Sequence, residues 1–152
     1  MDMDKKTLIL LIVCIVVFAF VALSYAGVFS HDDTVNVGDV TFKLPEGYKN
    51  IGANKKGYER ATDGLDTIYF TSYDDKNLSG HVNKYIKDCK SKNKTVVLSN
   101  FTNNGVSVYK TVGNDSTHYW FIHDGKTYAF FTWKEILPME DKIARSLINS
   151  VS

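Results

Sequence analysis

Hydrophobic positions along this chain change register at two points, and each regime predicts a different element. From Thr7 to Val28 they are continuous. No charge interrupts a run of Leu, Ile, Val, Phe and Ala, and only Cys14, Ser24, Tyr25 and Gly27 are small or weakly polar. A helix rises ~1.5 Å per residue, so a run of about 22 residues spans the ~30 Å hydrocarbon core of a bilayer. A surface helix of a globular protein would show a polar face, and this run has none. The pattern predicts a transmembrane helix over 7–28 after a short cytoplasmic N-terminus, 1–6. Lys5 and Lys6 precede the run and Asp32 and Asp33 follow it, which puts the N-terminus inside and the rest outside. A cleaved signal peptide is the rival reading, with Ser24-Tyr25-Ala26 before Gly27 as the cleavage site. The stretch Leu8 to Leu23 exceeds the roughly 7–15 residues of a signal h-region, which favours a retained anchor. Both readings export the remainder of the chain. Val13 is too large for the residue that a lipobox requires before Cys14.

Residues 29–36 form a polar segment, Ser-His-Asp-Asp-Thr-Val-Asn from Ser30 to Asn36, that predicts a tether. At ~3.3 Å per residue it reaches about 20 Å, so the domain after it lies close to the bilayer.

From residue 37 to 152 the apolar positions become periodic. Val40 to Leu44 alternates and stops at Pro45-Glu46-Gly47. Gly57 to Ala61 and Thr67 to Tyr73 predict a hairpin around Asp63-Gly64, with Ile68 and Phe70 on one face and Tyr69 on the other. A helix is predicted from an N-cap at Ser79 to about Lys90, with Val82, Tyr85, Ile86 and Cys89 as its apolar stripe. Thr95 to Leu98 and Val106 to Val112 predict strands around Asn103-Asn104-Gly105. Thr117 to His123 and Lys126 to Trp133 flank Asp124-Gly125, the preferred type I′ hairpin turn. Met139 to Val151 closes the chain as a helix through Ile143, Leu147 and Ile148, with Pro138 and Glu140 at its start. The expected order is strands, helix, four strands, helix. In the last hairpin Tyr119, Phe121 and Phe131 alternate with Trp120, Ile122, Tyr128 and Phe130, so both faces are apolar. A sheet of that kind needs cover on both sides. The fold class is α+β: an antiparallel sheet covered by helices, preceded by one transmembrane helix.

Two stretches carry a resemblance. One is Phe42-Lys43-Leu44-Pro45-Glu46-Gly47-Tyr48, an alternating strand running into a Pro-Gly-aromatic turn. The other is Thr127-Tyr128-Ala129-Phe130-Phe131 leading through Ile143 to Ser150. In order of elements the domain resembles the PsbP/Mog1-like fold, an antiparallel sheet sandwiched between helices. The layout is also similar to small anchored proteins of methanogenic archaea and some Gram-positive bacteria. Members of the PsbP-like group include photosystem subunits and transport-factor partners, so the resemblance implies a fold and no activity. It carries no functional residues onto this chain.

Composition narrows the partners. Net charge is +1, which gives no field for nucleic acid. Aromatic residues make up 13% of the chain, which suits a β-rich core. Cys14 falls in the span and Cys89 in the domain, so no disulfide scaffold is expected and Cys89 reads as a buried thiol.

No catalytic, cofactor or metal site emerges. His118 and His123 are an odd number apart and face opposite sides of one strand; with His31 and His81 they read as surface or interfacial histidines. Asp74-Asp75-Lys76-Asn77 opens like a calcium loop but has Ser79 where Gly is needed and Tyr85 where the terminal Glu belongs. Gly105-Val106-Ser107-Val108-Tyr109 is not a nucleophile elbow, and there is no P-loop or dinucleotide glycine pattern. Asp63 and Asp66 lie at turns, without a shared cleft.

Three sets remain as candidate surfaces. Lys84, Lys87 and Lys90, with Lys92 and Lys94, form a basic helix face that fits an anionic envelope polymer or lipid surface, or is simply solvated. Trp120 and Trp133 belong to an aromatic set that reads as core if covered and as a platform for glycan or protein if exposed. Asn77, Asn93, Asn100 and Asn114 match the glycosylation acceptor pattern, which matters only because all four are expected outside. The sequence predicts a single-pass, non-enzymatic binding domain at the cell surface, touching an envelope polymer or another membrane protein. An envelope hydrolase with dispersed residues and an accessory subunit of a membrane complex are the alternatives.

Overall fold

The computed structural model describes residues 4, 6–7, 9, 12–15, 33–133 and 139–152. It divides into two units, Met1–His31 and Asp32–Ser152. In the first, the described residues from Lys6 to Ile15 are helical. Most of the expected span over 7–28 lies outside the described residues. Among those described, no helix is long and apolar enough to cross a membrane.

The second unit is α+β with antiparallel sheets. Its strands are β1 (Thr34–Val37), β2 (Val40–Lys43), β3 (Lys49–Asn50), β4 (Glu59–Thr62) and β5 (Thr67–Tyr73), followed by helix α1 (Leu78–Ser91). Then come β6 (Val96–Asn103), β7 (Val106–Gly113), β8 (Ser116–His123), β9 (Lys126–Trp133) and helix α2 (Asp141–Asn149). Seven strands form one sheet in the order β3-β4-β5-β9-β8-β7-β6, and β1 pairs with β2 as a separate ribbon. The polar tether expected to reach Asn36 therefore ends sooner. Val35 and Val37 face inward, and Thr34 to Val37 pair with Lys43 to Val40, which makes this stretch part of the domain.

Turn chemistry fixes the register. Asp124 and Gly125 have φ of 47° and 75°, and Asn104 and Gly105 have 49° and 81°. Two successive positive φ values define a type I′ turn, whose twist matches that of the strands. The first turn sets His123 opposite Lys126, so Tyr119 faces Phe130, Phe121 faces Tyr128, and His118 faces Phe131. Directly opposed residues share a face. Tyr119 and Phe121 therefore lie with Tyr128 and Phe130, and Phe131 lies on the other face with Trp120, which corrects the grouping read from alternation alone.

The first face carries the main core. Phe42 of the ribbon is fully buried among Phe70, Phe121, Tyr128 and Phe130, at centroid distances of 5.2–6.4 Å. Helix α2 adds Ala144, Leu147 and Ile148 to the same cluster. The chain end ties the two covers together. Thr41 and Ser152 exchange backbone hydrogen bonds, and Lys43 N–H donates to Ser150 Oγ at 2.9 Å. Tyr119 O–H donates to Asp141 at 2.6 Å, and Lys110 pairs with the same carboxylate at 2.7 Å.

Helix α1 covers the second face. Its N-cap is Asn77 rather than Ser79: the Asn77 side chain accepts from Gly80 N–H at 3.2 Å, so the helix begins one residue before the expected cap. Its apolar cover is small. Leu78 and Val82 pack on Trp120 and Ala129, with Tyr85 and Ile86 half-buried beside them.

Candidate functional site

Because α1 is narrower than the sheet beneath it, part of the second face stays open. A groove of about 620 Å³ runs between α1 and the strands β5, β9 and β8, with Lys56 and Tyr58 of the loop before β4 at its edge. Its floor comes from His118 and Trp120 on β8, Ala129, Phe131 and Trp133 on β9, and Thr71 and Tyr73 on β5. Its helical wall is His81, Lys84, Tyr85, Asp88 and Cys89. A smaller depression of about 300 Å³ shares Lys56, Tyr58, Phe131 and Trp133 with it and reaches Tyr69.

Cross-strand register builds the floor. Tyr69, Phe131 and His118 are directly opposed on β5, β9 and β8. Their rings stack in a row: Tyr69 on Phe131 at 5.2 Å and 13°, Phe131 on His118 at 4.5 Å and 16°. The next ring along β8, Trp120, continues the row at 5.5 Å and 15° from His118. Tyr58 and Trp133 stand perpendicular to Phe131, at 5.5 and 5.8 Å. Tyr85 leans over His118 at 4.3 Å, and its hydroxyl shares a hydrogen bond with Ser116 Oγ at 3.1 Å. Trp120 donates from Nε1 to Thr111 Oγ1 at 3.2 Å, which satisfies its polar atom under the helix.

Burial governs the ionisation of these groups. His118 is 8% exposed. Loss of solvation pushes its pKa down to about 3, against a small opposing pull from Asp115. The imidazole is therefore neutral at pH 7. Its Nδ1 is buried and finds no hydrogen-bond partner among the described residues. Burial likewise raises the Tyr85 phenol to about 12. At the rim, Lys94 pairs with Asp115 at 2.6 Å, and that hydrogen bond lowers the Asp115 carboxyl. His81 stacks on Tyr73 at 3.8 Å and reaches Asp75 at 2.8 Å.

The groove gathers some of the candidates read from the sequence and leaves others apart. Lys84 and Trp133 line it, and Trp133 is 48% exposed. Trp120 also lines it, but from beneath α1 and buried. Lys87 and Lys90 are exposed on α1 and are not part of its lining, whereas Lys92 and Lys94 are. Asn77, Asn93, Asn100 and Asn114 all lie at exposed positions outside the groove. Two expectations need correction. His118 is a buried member of an aromatic row rather than a surface histidine, because β8 is central and α1 crosses its face. Cys89 is half-buried and lines the groove, because it lies on the helix face with Tyr85 that borders the uncovered part of the sheet. His123 stays near the surface beside Asp124 at 3.3 Å, and His31 lies outside the described residues. Tyr58 and Tyr85 are groove residues that no sequence pattern singles out for that role. The Asp124-Gly125 turn, followed through to the register, is the signal that pairs Phe131 with His118. No group of three or more His, Cys, Asp or Glu side chains is placed to hold a metal ion among the described residues.

No family model matches the chain, and no curated protein matches it. Among solved structures the chain is similar to the solution structure of PsbP (CyanoP) from the cyanobacterium Synechocystis sp. PCC 6803. The identity is 10%, the TM-score is 0.46, and the alignment covers 74% of this chain and 85% of that one. It is also similar to a crystal structure from Bacteroides thetaiotaomicron at 12% identity and a TM-score of 0.42, over 74% of this chain and 44% of that one. The architecture of this domain, an antiparallel sheet with a helix on each face, rests on its own topology and register.

Proposed function

We propose that this chain is a membrane-anchored extracytoplasmic binding domain, non-enzymatic, and that it makes its contact through the groove beside α1. The apolar run over 7–28 supports the anchor, and Lys5 and Lys6 before it support the orientation. One observation carries the binding role: a concave site of about 620 Å³ floored by stacked aromatic rings and edged by lysines. Pockets of roughly 300–1,000 Å³ with an apolar lining and a few convergent polar groups are the usual form of a ligand site. The partner fits an envelope component or another membrane protein that presents such a ligand.

A second reading keeps an envelope hydrolase in view, because Cys89, His118 and Asp115 line the same groove. Nucleophilic catalysis needs the thiol and the base within hydrogen-bond reach. Here the neutral, buried His118 has Tyr85 leaning on it and makes no hydrogen bond to Cys89. The binding reading requires neither of these groups to react.

Two measurements test the proposal together. Protease added to intact cells is expected to digest the domain and to spare Lys5 and Lys6; full protection would overturn the location. Capture from isolated envelopes is expected to retain a specific component on the wild-type chain and to lose it with Trp133→Ser and Lys84→Glu. Equal capture by both variants would remove the groove as the contact site. Undiminished function in a Cys89→Ala chain is expected, and its abolition would favour the hydrolase.

A further inference from the structure

The groove's floor and rim both favour one sign of charge. Phe131 is stacked on both faces, by Tyr69 and by His118, and His118 by Phe131 and Trp120. A ring with both faces occupied turns its edge to the groove. Aromatic edges carry the positive end of the ring quadrupole. Sugars pack against ring faces, so this row does not make a glycan platform.

The polar groups agree. Lys56, Lys84, Lys92 and Lys94 line the groove against Asp88 and Asp115. Lys94 is already paired with Asp115, whereas Lys56, Lys84 and Lys92 make no ion pair among the described residues. His118 adds a polar group to the lining. Its Nδ1 is sealed without a partner, and Nε2 is not among the sealed atoms. A neutral imidazole carries one proton, and a buried N–H without an acceptor is the rarer arrangement. The proton therefore belongs on Nε2, the ring nitrogen that is not sealed.

We propose that the groove binds a small organic anion. A flat apolar body would rest on the edge of Phe131 between Tyr58 and Trp133, and a carboxylate or phosphate would lie among Lys56, Lys84 and Lys92. The volume suits a ligand of one or two rings with its acidic group. This inference rests on the binding role proposed for the groove and names the chemistry of its ligand.

The test uses the full chain, isotope-labelled in phosphatidylcholine nanodiscs, and four probes of one shape. These are 1-naphthoate, 1-naphthyl phosphate, neutral 1-naphthalenemethanol and cationic 1-naphthylmethylammonium. NMR titration is expected to shift the Trp133 indole N–H and the His118 ring with the two anions, at a dissociation constant on the order of 1 mM. The tighter of the two anions identifies the acidic group. Each exposed lysine contributes up to about fivefold, so the anions should exceed the neutral probe by roughly that factor or more, and the cation should bind weakest. Lys84→Glu with Lys92→Glu should erase the preference while neutral binding persists. Equal binding of neutral and anionic probes would overturn the anion selection and leave the groove as a binding site. Absence of any shift at Trp133 and His118 with all four probes would overturn the site itself, whatever the protease and capture experiments show about location and partner.

Discussion

Acidification should weaken this domain through His118, by an amount that can be worked out. The ring has a pKa of about 3 in the folded chain because burial removes its solvation. In the unfolded chain it has the ordinary value of about 6.5. Between these values the unfolded state binds a proton that the folded state does not, so stability falls as pH drops below about 6.5 and stops falling near pH 3. At pH 5 the loss is about 2 kcal/mol relative to pH 7.5, because each unit between the two pKa values is worth ~1.4 kcal/mol. Asp115 is the charged group that opposes this shift, and its effect is already included in the direction stated. The perturbation is His118→Phe, which keeps a flat ring in the row and removes the titration. Urea unfolding at pH 7.5, 6 and 5 should show the wild type losing about 2 kcal/mol more than the variant over that range. An NMR titration of the His118 ring should show no inflection above about pH 4. Parallel losses in the two proteins, or a His118 inflection near 6.5, would refute the idea that this ring is held neutral by burial.

Other substitutions probe the rest of the frame. Phe42→Ala removes a fully buried ring from the centre of four others and should cost about 3–5 kcal/mol by chemical denaturation. Tyr119→Phe deletes the hydroxyl that bonds Asp141 at 2.6 Å and should cost roughly 1–3 kcal/mol at pH 7, with the cost shrinking once the carboxylate is protonated. The Lys110 and Tyr119 hydrogen bonds outweigh burial and hold the Asp141 carboxyl below the usual carboxylate range, so this difference should persist as the pH falls into that range. Thr117→Val exchanges a fully buried hydroxyl without a partner among the described residues for a methyl group, and thermal unfolding should show a neutral or slightly raised midpoint.

How much of this was legible in the sequence depended on the kind of signal. Asp124-Gly125 and the Asn104-Gly105 pair announced their hairpins because type I′ turns need positive φ at both positions. The stripe of Val82, Tyr85 and Ile86 announced α1 because apolar side chains three and four apart share one helix face. Alternation also showed that both sheet faces were apolar and needed helical cover. The first strand was not legible. Thr34-Val35-Asn36-Val37 has only two apolar residues, and its partner in β2 supplies what its own pattern lacks. Nor was the short β3 at Lys49–Asn50, which is held by pairing with Thr62 and Ala61. The groove was hardest to foresee. It arises from where α1 fails to cover the sheet, and the size of a gap is a tertiary quantity that no local pattern encodes. Its aromatic row was partly within reach, since a two-residue turn after His123 already sets His118 opposite Phe131. Lys87 and Lys90 looked equivalent to Lys84 along the helix, but only Lys84 lies on the helix face, with His81, Tyr85 and Asp88, that borders the groove.

If the domain acts outside the membrane through the groove beside α1, its partner must touch Trp133 and Lys84 in the living cell. Site-specific photo-crosslinking reads that contact, with p-benzoylphenylalanine placed at Trp133, at Lys84, and at Leu65 as an exposed control away from the groove. One defined adduct is expected from Trp133 and Lys84, found by mass spectrometry, and none of that mass from Leu65. The same adduct from all three positions, or none from the two groove positions while Leu65 reacts, would show that the partner docks elsewhere.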